Sequence, residues 1–249
     1  MISYMEYGKY LDEFMDNIYE PFYTENEGGM KTPDMFILYV MLCEIKPDIV
    51  IESGVWKGQS TKLIRKTLGD DCKIICLDPR TVYGWQDDND NTIYYTDSEF
   101  KDFKDLDLSK YKDKKTVAFF DDHVNQLSRL KDCYHKKIKN VIFNDNYPKK
   151  CGSHLTLQHV FNDDNRFGAL LNENEKRILK TIIEKYEIYP NIFPGKIKTG
   201  EGYFDCESYF KEKETHNGIG QTTDIVEKYK TLYDEKESYR WNTLVQLKY

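Results

Sequence analysis

Alanine is nearly absent: the 249 residues hold only Ala118 and Ala169. Arginine is scarce too, at 6 of 36 basic residues. Ala and Arg codons are GC-rich, and the 20 tyrosines belong to AT-rich ones. The bias therefore reads first as an AT-rich genome, such as that of a virus or parasite. A sugar-binding or aromatic-binding surface is the rival reading of the tyrosines. Positive charge is also short, and the net charge of −7 speaks against nonspecific binding to nucleic acid or to an anionic membrane. No apolar run approaches the ~18 residues of a membrane span. The opening MISYMEYGKYLDEF lacks the basic-then-apolar pattern of a signal peptide. Six scattered cysteines fit reduced thiols better than a disulfide framework. The expectation is a cytoplasmic protein, in the host cytoplasm if the source is viral.

What is present is an alternation of elements. Apolar spacing predicts a helix over 4–20 and another over 34–45, with Thr32 as N-cap and Pro33 opening it. Short apolar runs predict strands at 48–52, 73–78, 92–95, 116–120 and 140–143, with helices at 59–68 and 125–136. Beyond Tyr147 a helix is expected over 172–186, a long loop over 188–220, a helix over 222–232 and a strand over 238–248. Strands of this kind between helices imply a doubly wound α/β fold with a mostly parallel sheet covered on both faces. Residues 1–46 read as an N-terminal helical extension and 47–249 as the α/β domain. Ligands in such folds sit beyond the carboxyl ends of the strands, which directs attention to polar residues there.

The first such segment is Glu52-Ser-Gly-Val-Trp-Lys-Gly-Gln-Ser60. Gly54 and Gly58 let backbone approach a ligand at the start of a helix. Their G-x-x-x-G spacing matches neither the dinucleotide fingerprint nor the Walker A loop, and a plain tight turn gives the same pattern. Asp78 ends the second strand, where an acid can hold the two hydroxyls of a ribose or simply cap a helix. Together the two features point to a nucleoside-type ligand. Two acidic clusters end neighbouring strands: Asp121-Asp122-His123 and Asn144-Asp145-Asn146. Parallel strands lie about 4.8 Å apart, so these oxygens can converge on Mg²⁺, Mn²⁺ or Ca²⁺. The bland alternative is that these acids cap helices and His123 is solvated.

The Glu52–Ser60 segment resembles the strand-one motif of class I S-adenosylmethionine-dependent methyltransferases. More narrowly, it is similar to the macrocin O-methyltransferase and cephalosporin-hydroxylase-like group. The resemblance covers roughly residues 30–150 and implies a Rossmann-like, seven-stranded sheet. It also implies that Glu52, Gly54, Trp56, Gly58 and Ser60 line S-adenosylmethionine, with Asp78 on the ribose and Asp97 facing the adenine. In the family a D-G-D segment and an acidic pair bind a divalent metal. Carried over, Asp121, Asn144 and Asp145 are the ligands of Mg²⁺ or Mn²⁺, and His123 stands at the base position. Its reference pKa of ~6.5 suits that role. Asp122 replaces a small residue and joins His123 as a catalytic candidate, whereas Asn144 replaces a carboxylate.

The implied activity is O-methylation of a small-molecule hydroxyl, with a sugar or glycoside as a candidate acceptor. No nucleic-acid or membrane partner is expected, and the N-terminal helices could support a homo-oligomer. Two rivals stay open: a metal-dependent hydroxylase or hydrolase, and a non-catalytic nucleoside-binding protein on the same fold. Cys151, His154, His159 and Cys206 are zinc-capable but lack a recognised spacing. The aromatic segment Tyr189, Phe193, Tyr203, Phe204, Tyr209 and Phe210 either closes over a substrate or packs a sheet edge.

Overall fold

The computed structural model describes residues 4–19, 28–168, 171–193, 196–199, 202–205 and 222–249. Helix α1 (Tyr4–Glu13) continues into a π-turn at Phe14–Ile18. Phe14 is fully buried and meets Phe36 and Tyr39 of helix α2 (Thr32–Ile45) at ring-centroid distances of 5.3 and 5.5 Å. Almost all of α2 is buried, which explains a sequence that is apolar on every side. Pro33 sits in the first turn, where its missing N–H costs nothing.

Thr32, expected as the N-cap, is instead the first helical residue. The cap is supplied by Glu235, whose Oε2 accepts from Thr32 N at 2.8 Å and from Thr32 Oγ1 at 2.6 Å. A carboxylate there also faces the positive end of the helix dipole. Glu235→Ala is expected to cost about 1 kcal/mol, read from the urea midpoint. An unchanged midpoint would rule out this capping role.

The α/β part follows the expected order: β1 (Ile49–Ser53), α3 (Gln59–Leu68), β2 (Lys73–Asp78), β3 (Thr92–Thr96), β4 (Thr116–Phe120), α4 (Gln126–His135) and β5 (Asn140–Phe143). Helix α5 (Leu157–Phe161) is an addition the sequence did not signal. The helix expected over 172–186 ends early. Helix α6 (Glu173–Ile182) is followed directly by strand β6 (Ile183–Ile188). Ile178, Ile182 and Tyr186 fit helical spacing, while Tyr186 and Ile188 fit strand alternation. Pairing with another strand decided between the two.

Within the expected long loop lies a hairpin, β7 (Lys196–Thr199) with β8 (Gly202–Asp205). Short helices α7 (Thr223–Lys228) and α8 (Lys230–Asp234) precede β9 (Thr243–Leu247).

The main sheet has seven strands in the order β3-β2-β1-β4-β5-β9-β6, with β9 antiparallel to both neighbours. This is the Rossmann-like, doubly wound and mostly parallel arrangement of seven strands that the sequence leads one to expect. Alternation along each strand splits the core in two. Val50, Ile74, Val117, Phe119 and Ile142 face α2 and α3. Ile51, Ile75, Ala118, Phe120 and Phe143 face α4, α5 and α6. Both faces are thus sealed, and the carboxyl ends of β1, β2, β4 and β5 are left to build a site. Among the described residues no helix is long and apolar enough to cross a membrane.

Candidate functional site

The turn from β1 to α3 is set by two close backbone approaches. A Cβ on Gly54 would lie 2.3 Å from the carbonyl oxygen of Asp121, and one on Gly58 would lie 2.0 Å from that of Trp85. The turn is held from below by Asp78. Its Oδ2 accepts from the backbone N–H groups of Val55 and Trp56, each at 3.0 Å. Its Oδ1 accepts from Arg80 N at 2.9 Å and Arg80 Nε at 3.1 Å. Burial pushes this carboxyl up, but Arg80 and the three N–H donors outweigh burial and hold it below its usual range. The Arg80 guanidinium also lies over the Trp56 ring, 4.6 Å from its centroid.

Beside this turn is a cavity of about 240 Å³. Gly54, Trp56, Ser60, Asp121, Asp122 and His123 all line it. Gln59 lines it as well, and its buried Oε1 accepts no hydrogen bond among the described residues. Glu52 does not reach the cavity wall. It is fully buried, accepting from Ser60 Oγ and, at 2.6 Å, from Thr61 Oγ1. Burial pushes its carboxyl up to about 7, against the hydroxyl donors and Cys76. Gly58 and Asp78 sit behind the turn, and Asp97 is exposed beyond the end of β3.

The state of Glu52 gives a pH prediction. Its folded pKa exceeds the reference 4.5, so the native state holds this proton more tightly than the unfolded chain. The contribution of this group to stability is therefore greatest below about pH 4.5 and falls until about pH 7, by about 3 kcal/mol. Glu52→Gln is expected to remove that slope relative to the parent, measured by urea unfolding at about pH 5 and pH 8. Parallel pH profiles for the two proteins would contradict the assignment.

At the next strand ends, Asp121, His123 and Asp145 each bring a ligand atom within 4.8 Å of the others. His123 Nε2 lies 2.7 Å from Asp145 Oδ2 and 3.9 Å from Asp121 Oδ1. The hydrogen bond to Asp145 and the nearby carboxylates raise the His123 pKa well above its usual range. Burial and the neighbouring Asp145 raise that of Asp121. His123 and Asp145 both adopt left-handed backbone, φ +55° each, a costly conformation that concentrates at functional sites.

Asn144 Nδ2 donates to Asp121 Oδ1 at 3.0 Å, and its Oδ1 is buried without a partner among the described residues. The groups that converge are thus two carboxylates and an imidazole, with the unpartnered Asn144 amide oxygen on the residue that bonds Asp121. Oxygen-rich sets of this kind suit Mg²⁺ or Mn²⁺. The residues present fit a divalent cation.

Asp122 is differently employed. Its Oδ2 accepts from Ser53 Oγ at 2.7 Å and Arg129 Nε at 2.9 Å, and its Oδ1 from Val124 N at 3.1 Å. Arg129 in turn grips Asp102 with two hydrogen bonds. Asp122 therefore touches the cavity but spends its oxygens on the scaffold.

Three comparisons bear on this arrangement. No family model matches the chain, and no curated protein does. Solved structures do match, at low identity. The Mg-SAM form of CmcI is 16% identical, with 72% of this chain and 76% of that chain covered and a TM-score of 0.43. A SAM-dependent O-methyltransferase from Thermotoga maritima is 12% identical over 96% of this chain and 70% of that chain, TM-score 0.44. An O-methyltransferase from Bacillus cereus in complex with SAH is 12% identical over 80% and 86%, TM-score 0.41.

Several residues around the site escaped sequence reasoning. Arg80 and Gln59 are two. His154, named above only as zinc-capable, stands beside the site instead: its ring stacks on His123 at 5.7 Å and meets Tyr147 edge-on. Burial takes His154 down to about 4, so it is a neutral lid on a charged imidazole. His159 is no metal ligand here. Its Nδ1 accepts from Thr156 N at 3.1 Å, and its Nε2 faces the carbonyls of Pro148 and Cys151 at 3.0 Å each. Cys206 lies outside the described residues. Of the aromatic segment, Tyr189 and Phe193 pack into the core. Tyr203 and Phe204 lie in β8, and Tyr209 and Phe210 fall outside the described residues.

Proposed function

We propose that this chain is an S-adenosylmethionine-dependent O-methyltransferase acting on a hydroxyl of a small molecule. Divalent-cation assistance and His123 as base complete the proposal, with a sugar or glycoside as a candidate acceptor. One observation carries the reading. The cavity beside the β1–α3 turn shares a wall, Asp121 and His123, with the carboxylate and imidazole group at the adjoining strand ends. A cofactor pocket and an acid–base centre thus open on one space.

When bound, S-adenosylmethionine would supply a methyl group made electrophilic by its sulfonium, and a divalent cation would acidify an acceptor hydroxyl. The residues around them do the positioning. Gly54 and Trp56 offer backbone and ring surface to the cofactor, and Gln59 Oε1 offers a free acceptor. Asp78 serves ribose hydroxyls only by exchanging its Arg80 contacts for them. Asp121 and Asp145, with Asn144 beside them, would hold the cation. His123 Nε2 keeps its proton as long as Asp145 is its partner. Once the charge of Asp145 is neutralised otherwise, Nε2 becomes neutral and can accept the hydroxyl proton. A single imidazole with two carboxylates differs from the two-histidine, one-carboxylate set of non-haem iron oxygenases, which favours methyl transfer over the hydroxylase reading.

The test is a calorimetric titration of S-adenosylmethionine with and without Mg²⁺, followed by mass spectrometry of hydroxylated acceptors for the gain of one CH₂. Saturable cofactor binding and a methylated product are expected. Absence of cofactor binding discards the reading.

A further inference from the structure

The described residues form a second cavity, of about 390 Å³, at the opposite end of the sheet. Its floor is the entry of two adjacent parallel strands. Thr116 begins β4 and Asn140 begins β5, and in register Val117 faces Asn140. The strand length alone puts about 16 Å between this end and Asp121. The volume lies within the range of small-molecule sites, roughly 300–1,000 Å³.

The lining is unusual for a chain of net charge −7. Six lysines contribute to it: Lys112, Lys114, Lys115, Lys136, Lys137 and Lys139. No acidic residue among the described residues does. Three of the lysines are committed elsewhere. Lys115 Nζ donates to the Ile45 carbonyl at 2.9 Å. Lys136 Nζ donates to the carbonyls of Lys104 and Leu106, at 2.8 Å each. These bonds hold the ammonium groups in place, and Asp107 offsets only part of the Lys136 charge. Lys139 pairs with Glu184 at 2.8 Å. Lys112, Lys114 and Lys137 are exposed and have no ion-pair partner among the described residues. Lys137 is also held in left-handed backbone, φ +57°, immediately after α4.

A concavity walled by cations of one sign repels itself unless an anion enters it. Ammonium groups are point charges with three donors, well matched to phosphate oxygens. Leu108, Tyr111 and Ile138 add an apolar wall with one ring. We propose that this cavity binds a small molecule carrying two or more phosphate groups, seated against Lys112, Lys114 and Lys137. The site is separate from the methyl-transfer centre and stands whether or not that reading holds. The acidity of the chain as a whole keeps extended polyanions away, so a compact ligand is favoured over a nucleic-acid strand.

The experiment is calorimetric titration of the full chain with inorganic tripolyphosphate, without divalent cation, at about 0.15 M salt. One-to-one binding is expected, weakening as salt rises. The triple variant Lys112→Gln, Lys114→Gln, Lys137→Gln is expected to lose about tenfold or more in affinity while its circular dichroism and its S-adenosylmethionine binding stay unchanged. ATP binding at least as tightly as tripolyphosphate would add the apolar wall to the site and make a nucleoside polyphosphate the ligand. ATP binding more weakly would leave a bare or differently substituted polyphosphate. No tripolyphosphate binding, or equal affinity in the triple variant, overturns the proposal. So does tighter binding of a single-stranded oligonucleotide that the triple variant abolishes.

Discussion

Gly54→Ala is expected to destabilise the protein by about 3–4 kcal/mol and to abolish S-adenosylmethionine binding. Two effects add. Gly54 has φ +93°, a region an alanine enters only at a cost of about 1 kcal/mol or more. The new methyl would then lie 2.3 Å from Asp121 O, 2.6 Å from Asp121 C and 2.9 Å from Asp122 N. All three are backbone atoms of the β4 exit, so no side chain can swing away. The turn must shift instead, and with it the cavity wall and the strand end that carries Asp121 and His123. A loss of this size is a large part of the 5–15 kcal/mol that holds a typical domain together. Gly69→Ala is the control. Gly69 also has positive φ, at +75°, but its Cβ would meet nothing within 4 Å. It is expected to cost only the conformational strain of its φ +75°, ψ −177° backbone, about 1–2 kcal/mol. Urea unfolding of the two variants separates conformational strain from steric conflict. Equal costs would show that the approach to Asp121 does not constrain the turn.

Gly54 was legible because it stands where an apolar run ends and a helix begins, and that combination calls for a turn with close backbone approach. The strands were legible for a related reason. Runs such as Lys73–Asp78 are apolar throughout and bounded by polar residues, so burial on both faces is written locally. Pairings across the chain were not legible. Nothing near Thr32 announces Glu235 as its cap. Nothing near Asp78 announces that the turn it supports will bring Trp56 under Arg80.

Asp122 is instructive because no local signal sets it apart from Asp121 and His123. The chain leaves β4 at Phe120, and Asp122 is the residue that turns its carboxylate toward the scaffold while Asp121 and His123 converge with Asp145. That places Asp122 toward Arg129 and Ser53 rather than among the metal-capable groups. Its distant partners Arg129 and Ser53, and not local periodicity, separate it from the other two. The helix expected to reach residue 186 failed for the opposite reason. Its apolar positions satisfied both periods, and only the partner strand β9 resolved them.

Asp145→Asn is expected to lower turnover by at least about a hundredfold while leaving S-adenosylmethionine affinity within about threefold of the parent. Asparagine keeps the size of the side chain and tolerates the left-handed backbone at this position, so the fold survives. What disappears is the charge 2.7 Å from His123 Nε2. Without it the His123 pKa falls toward its ordinary value, and Asp121 is relieved of its like-charged neighbour. Two results follow without added cation. In the parent, the elevated His123 pKa contributes stability that is complete below about pH 6.5 and lost as pH rises through the folded value. Asp145→Asn removes that contribution, so its stability depends less on pH across the alkaline limb. With cation, one of two carboxylate ligands is gone, and Mg²⁺ or Mn²⁺ binding weakens accordingly. Asp122→Asn should behave in the reverse manner. It strips Arg129 of a partner and lowers stability, yet leaves the Asp121, His123 and Asp145 group whole. The pair of variants therefore separates chemistry from scaffolding by comparing turnover with the urea midpoint. Full turnover in Asp145→Asn, together with full activity after EDTA treatment, would remove both the cation and the His123–Asp145 pair from the mechanism.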